Sequence, residues 1–221
     1  MIYGITGRRE LGKTTLAKYL AHARGPRVYV DPRQQFDHLE LDPIDDVEAY
    51  GVAEIILSGH DVWIVPADLD RDLVILADEC RPRIQRRESL TVLFDEAGLY
   101  RDGLKAWDRH LRTCSRQDTT IILTAHRPQD LSTNIRAIID VWCIFRTTQR
   151  HDLDAIEERC GTRVRELVEK LDPYQFVEWN DAKGEWRIHR DGRIWRTPKD
   201  VILEGDSDRL PSRTPLLEGS N

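Results

Sequence analysis

Residues able to do chemistry gather in three short stretches of this 221-residue chain. The first, Gly7-Arg8-Arg9-Glu10-Leu11-Gly12-Lys13-Thr14, fits G-x-x-x-x-G-K-[ST] and lies between an apolar run, Ile2 to Ile5, and a helix-like run from Lys13 to Arg24. Strand, glycine-framed loop and helix form the setting in which this pattern holds phosphates. Glycines let the backbone wrap closely, and the loop amides and helix N-terminus supply positive potential. Lys13 adds a point charge for the outer phosphates, and Thr14 offers a hydroxyl to Mg²⁺. Residues Gly7, Arg8, Arg9, Glu10, Leu11, Gly12, Lys13, Thr14 and Thr15 are therefore the expected nucleotide contacts. An acid facing phosphates is unfavourable, so Glu10 is expected to point outward.

The second stretch, Leu90-Thr-Val-Leu-Phe-Asp95-Glu96, is an apolar run that delivers two acids at its end. Asp95 is placed to hold Mg²⁺, and Glu96 to take a proton from an attacking water. In isolation two such acids would more simply cap a turn; beside a phosphate loop the catalytic reading is preferred. Asp95-Glu-Ala-Gly98 also matches the D-x-x-G of GTPases, but no Asn-Lys-x-Asp guanine-reading motif follows. The third stretch, Thr119-Thr-Ile-Ile-Leu-Thr124-Ala-His126-Arg-Pro128, ends in Thr124 and His126, which could sense the γ-phosphate.

These residues need a scaffold that brings three strand ends together. Apolar runs at Ile2–Ile5, Arg27–Val30, Asp61–Pro66, Leu90–Phe94, Thr120–Thr124 and Val141–Phe145 read as strands. Helical patterns between them cover Asp46–Ser58, Asp70–Cys80 and Leu104–Ser115. That alternation predicts an α/β fold, a mostly parallel P-loop (RecA/ASCE-like) sheet flanked by helices, with ligands at the strand carboxyl ends. Residues 1–150 form the expected ATPase core. Residues 151–198 follow as an appendage: two polar helices, Asp152–Arg159 and Thr162–Leu171, then strands at Tyr174–Trp179, Glu185–Arg190 and Arg193–Trp195, the last pair turned at Gly192. From Lys199 the apolar periodicity is lost, so 199–221 is expected to be a tail that is loose or ordered only against a neighbour.

Bulk composition narrows the class. A hydrophobic share of 40% is enough for a sizeable core. No apolar run is long enough to span a bilayer, and the chain starts with a strand rather than a signal peptide. Cys80, Cys114, Cys143 and Cys160 are widely spaced without metal-ligand patterns, which points to reduced, inert thiols. The net charge of −6 argues against coating nucleic acid with the whole surface while allowing local basic patches. One candidate patch is Lys105, Arg109, Arg112 and Arg116 on one helix face, with only Asp108 near enough to neutralise it. Another is the segment Arg81-Pro-Arg83-Ile-Gln-Arg86-Arg87, read as a loop that could contact DNA or be a solvated turn.

Together the phosphate loop, the Val-Tyr-Val-Asp31-Pro32 strand end, Phe94-Asp95-Glu96, and Ser115-Arg116 followed by Ile-Leu-Thr-Ala-His126-Arg127-Pro128 resemble the FtsK/HerA superfamily of P-loop ATPases. The likeness extends through Asp140 to Asp154 and covers about residues 1–180. It is strongest to the genome-packaging ATPases of tailless icosahedral viruses with an internal membrane. The resemblance implies ATP and Mg²⁺ as cofactors, a homo-oligomeric, hexameric ring, and double-stranded DNA in its channel. It also implies capsid or portal-vertex partners, and a place in the host cytoplasm or at the virion vertex. Arg116 matches the family's trans-acting arginine finger, although the His and Gly that usually follow are missing; the family's usual Gln is His126 here. Alternatives are a filamentous-phage assembly ATPase related to zonular occludens toxin, which would generally carry a transmembrane helix, a small-molecule P-loop kinase, and a nucleotide-gated scaffold.

Overall fold

The computed structural model describes residues 1–22, 25–36, 39–100, 102–113, 118–190 and 218–220. In chain order the first half runs β1 (Ile2–Thr6), α1 (Lys13–Ala21), β2 (Arg27–Val30), β3 (Pro43–Ile44), α2 (Val52–Leu57), β4 (Val62–Ile64), α3 (Leu69–Gln85) and β5 (Leu90–Phe94). Two short helices follow, α4 (Gly103–Ala106) and α5 (Asp108–Thr113), then β6 (Thr119–Ala125), α6 (Thr133–Arg136) and β7 (Val141–Phe145). The chain continues through α7 (Arg150–Cys160), α8 (Thr162–Glu169), β8 (Phe176–Asn180) and β9 (Glu185–His189), and β10 (Glu218–Ser220) is the last described element.

Among the described residues these strands make one ten-stranded sheet in the order β10-β9-β8-β7-β1-β6-β5-β2-β4-β3. Strands from β7 to β3 are parallel, and β8, β9 and β10 extend the sheet antiparallel beyond β7. This is the α/β, mostly parallel architecture that the alternating pattern predicts. The β6 strand, which carries Thr124, lies between the phosphate-loop strand and the Asp95 strand, with Ile2 opposite Ile121 and Phe94 opposite Leu123. Three chemically loaded strand ends are therefore immediate neighbours.

The two faces of the sheet are covered unequally. Ile5, Tyr29, Leu93, Ile122 and Cys143 pack with Leu16, Ala17 and Ala21 of α1. Val28, Val30, Val92, Phe94, Ile121, Leu123 and Ile144 face the larger cluster, which includes buried residues of α2, α3, α7 and α8. Successive strand residues point to opposite faces. In β5 the odd-numbered residues face α1, and in β6 the even-numbered ones do. That parity carries past the strand ends and sets which polar groups meet the phosphate loop.

Several elements differ from the sequence reading for identifiable reasons. The α3 helix passes through Arg81-Pro82 instead of stopping at Cys80, because Ile84 is buried and Arg83 is anchored beyond it. The basic segment from Arg81 to Gln85 is therefore helical and not a loop. It lies at the amino end of β5, away from the phosphate loop. Expected as one helix, 104–115 divides at Trp107, whose buried indole donates to the Leu73 carbonyl at 3.0 Å and packs edge-on to Phe94. Residues 47–51 are turns, so α2 begins only at Val52. The expected Gly192 hairpin, the Arg193–Trp195 strand and most of the 199–221 tail lie outside the described residues, although Glu218–Ser220 pairs antiparallel with β9. Cys80, Cys143 and Cys160 are buried and not in a disulfide, and Cys114 lies outside the described residues. No described helix is long and apolar enough to cross a membrane.

Candidate active site

Between β1 and α1 the loop turns through Gly7 at φ 145°, Glu10 at φ 62° and Gly12 at φ 94°. A Cβ on Gly7 would come within 2.5 Å of Phe145 Cβ, so this position requires glycine for space as well as for backbone angle. Glu10 is exposed, along with Arg8 and Arg9.

Lys13 opens α1 and is only 7% exposed. Its Nζ donates to the Arg8 carbonyl at 2.8 Å and lies 3.4 Å from His126 Nδ1. Burial pulls its pKa down; the charges of Glu96 and Asp95 oppose that, and Arg9 adds to it. The ammonium thus sits in a loop that already surrounds it with carbonyl and imidazole acceptors.

Asp95, at the end of β5, is 1% exposed, and its odd-numbered parity turns it toward α1. Its Oδ1 accepts from Thr14 Oγ1 at 3.3 Å and from Thr124 Oγ1 at 2.6 Å. Thr124 also accepts from the Glu96 amide at 3.0 Å, which locks the ends of β5 and β6 together. Asp95 Oδ2 is buried and, among the described residues, has no hydrogen-bond partner. Burial raises this carboxyl's pKa, hydrogen bonds from Thr124 and Thr14 oppose the rise, and the nearby charges of Asp31 and Glu96 reinforce it. A carboxylate oxygen left without a partner beside a threonine hydroxyl is a hard-oxygen donor set that fits a hydrated Mg²⁺ ion.

Glu96 adopts a left-handed backbone, φ 52° and ψ 45°, which ends the strand alternation and redirects its side chain. Its Oε1 lies 3.0 Å from His126 Nε2 and 4.0 Å from Arg33 Nε. The His126 approach is off hydrogen-bond geometry, so the contact is electrostatic. Lys13 can only donate, so His126 Nδ1 must accept and the ring's proton belongs on Nε2, toward Glu96. Burial lowers the His126 pKa, the charge of Glu96 opposes this, and Lys13, Arg9 and Arg33 reinforce it. The ring is consequently neutral at pH 7.

Lys13, Thr14, Asp95, Glu96, Thr124 and His126 thus converge at three adjacent strand ends. Thr15 follows Thr14 in α1 and is half-buried. Arg116 lies outside the described residues. Arg33 was not singled out by its sequence, although its position just past the Asp31-Pro32 strand end was a usable signal. Asp31 Oδ2 accepts from the Phe36 amide at 2.8 Å and Oδ1 from the Arg33 amide at 3.2 Å, shaping the turn that carries Arg33 toward Glu96.

A glycine loop closing on the first helix, with an acid pair two strands away, defines the P-loop α/β class. Within it, the fold is similar to the genome packaging NTPase B204 from Sulfolobus turreted icosahedral virus 2 in complex with AMPPCP: TM-score 0.71, 19% identity, 85% of this chain and 96% of that one. The crystal structure of B204 described as the DNA-packaging ATPase from Sulfolobus turreted icosahedral virus gives a TM-score of 0.70 at 20% identity, with the same coverage. VirB4 of Thermoanaerobacter pseudethanolicus is more distant, at a TM-score of 0.57 and 11% identity over 81% of this chain and 86% of that one. No family profile matches the chain, and no curated protein sequence does.

Proposed function

We propose that this chain is a Mg²⁺-dependent ATP hydrolase that works as a motor on double-stranded DNA, packaging a viral genome into a preformed capsid. The observation that carries the hydrolytic part is the junction of Thr14 and Asp95 at 3.3 Å, with Glu96 adjoining and held near His126. In this reading Gly7 to Thr15 cradle the phosphates and Lys13 neutralises the outer ones. Thr14 and Asp95 hold the metal, and Glu96 accepts the proton of the attacking water. His126 reports on the γ-phosphate through its paired contacts with Lys13 and Glu96. Arg116 is proposed as the finger supplied by a neighbouring subunit of a hexameric ring. The DNA-packaging part is supported by the likeness of fold to B204 and by the sequence motifs, with capsid or portal-vertex proteins as further partners.

The test is steady-state ATP hydrolysis with and without Mg²⁺ and double-stranded DNA, for the wild type, Glu96→Gln and Arg116→Ala. We expect stimulation by DNA, a loss of roughly a hundredfold or more in Glu96→Gln, and partial rescue of Arg116→Ala by mixing with Glu96→Gln. Turnover indifferent to DNA and to Arg116, from a protein that stays monomeric, would overturn the motor reading.

A further inference from the structure

A cavity of about 390 Å³, lined by polar and charged residues, opens beside the catalytic cluster at the carboxyl ends of β1, β6 and β7. His126 is common to both: its ring nitrogens meet Lys13 and Glu96, and the residue also lines the cavity. Three arginines, Arg8, Arg9 and Arg127, line it together with the acids Asp130 and Asp152. Among the described residues none of those arginines forms an ion pair within 4 Å. The first turn of α7 also contributes, through Gln149 and Asp152, and Gln149 makes no side-chain cap. An uncapped helix N-terminus leaves amide hydrogens and positive potential available to an anion.

Asp152 narrows the chemistry. It is 3% exposed; Oδ2 lies 3.5 Å from the Thr147 hydroxyl, and Oδ1 is buried with no hydrogen-bond partner. A carboxylate in a basic pocket repels an anion made only of acceptors, but it pairs with one that carries its own O–H. Hydrogen phosphate has such a group; sulfate and the phosphodiesters of DNA do not. The space suits a phosphate with its water, since three or four waters alone occupy on the order of 100 Å³.

We propose that this cavity is a binding site for free hydrogen phosphate, in which Arg8, Arg9 and Arg127 hold the oxyanion and Asp152 accepts its O–H. The hydrolytic reading above supplies the source: phosphate cleaved beside Lys13 and Glu96 would be released next to His126, which adjoins both groups and lines the cavity. The site would then hold the product after cleavage, and α7 would register its departure.

Calorimetric titration of inorganic phosphate, with sulfate as the control, tests the site without turnover. With the P-loop saturated by Mg²⁺ and AMPPCP, one phosphate per chain should still bind, and sulfate at least tenfold more weakly. Arg127→Met, at an exposed position, should weaken phosphate about tenfold. Asp152→Asn should bring phosphate and sulfate to near-equal affinity; thermal melting reports whether each variant folds. Loss of phosphate binding when AMPPCP is bound, equal affinity for sulfate in the wild type, or insensitivity to Arg127→Met would overturn the proposal. Displacement of phosphate by a short DNA duplex would assign the basic pocket to DNA instead. Failure to bind AMPPCP would count against the hydrolytic reading alone, because the titration of the nucleotide-free protein, with the same two variants, still decides the cavity.

Discussion

Asp95 is buried and His126 partly so, both are ionisable, and their pKa values are displaced so that stability changes with pH in opposite directions. Asp95 has its pKa raised by burial, so the folded chain binds a proton there more readily than the unfolded chain. Above the ordinary value of 3.8 its charge therefore costs stability, and stability at this group returns as pH falls through that window. We expect Asp95→Asn to raise the melting temperature of the nucleotide-free protein at pH 7, by about 2–4 °C if the gain is near 1 kcal/mol, while abolishing the Mg²⁺ dependence of nucleotide binding. Calorimetry and a nucleotide-binding assay with and without chelator measure the two effects. His126 has its pKa lowered below 6.5, so stability falls as pH drops through 6.5, where the unfolded chain takes up the proton first. Protonation would also pair the ring with Glu96 and remove the base. The acid limb of the kcat profile should accordingly lie below pH 6.5 in the wild type and be shifted in His126→Gln.

At the level of elements, the helix around Pro82 shows how a charged stretch becomes structural. Arg83 is mostly buried; its Nε donates to the Ser89 carbonyl at 2.9 Å and Nη1 to the Ile56 carbonyl at 2.9 Å, joining α3 to the end of α2 and to the entry of β5. Arg83→Ala should cost about 1–3 kcal/mol in urea unfolding, because it strips donors from part-buried carbonyls. Arg81→Ala, at an exposed residue paired with Asp78, should change stability by less than about 1 kcal/mol. Short apolar strands such as Leu90–Phe94 and Val141–Phe145 were legible to the residue, because their burial is continuous and their ends are polar. The helix through Pro82 was not, since local breaking signals lost to the core position of Ile84. Nor was β3, whose two residues are strand only by pairing with β4. The basic stripe on the 104–115 segment is also less bare than its sequence suggests: Lys105 pairs with Asp102 and Arg112 with Asp108 at 2.8 Å.

For the whole molecule, the place of the loop after β1 and of the acids after β5 was legible because each motif is local and follows a recognisable strand. The cavity beside His126 was not, since its walls come from residues separated by more than a hundred positions and only the strand order unites them. If the chain is a sequence-blind DNA motor, its DNA stimulation should fall steeply between about 50 and 200 mM salt while basal hydrolysis changes little. Measuring both rates across that range checks it, and parallel decline of the two would argue that salt acts on the nucleotide site.

The central position of β1 also has a consequence for synthesis. Its partners are Ile121 to Ala125 on one side and Val141 to Ile144 on the other, so this strand is made well before either neighbour it pairs with. At about 5–20 residues per second, it emerges on the order of 10 s before both neighbours exist. Until then a nascent chain holds the complete phosphate-loop sequence without the sheet that shapes it, and nucleotide can assist folding only after β7 has been translated.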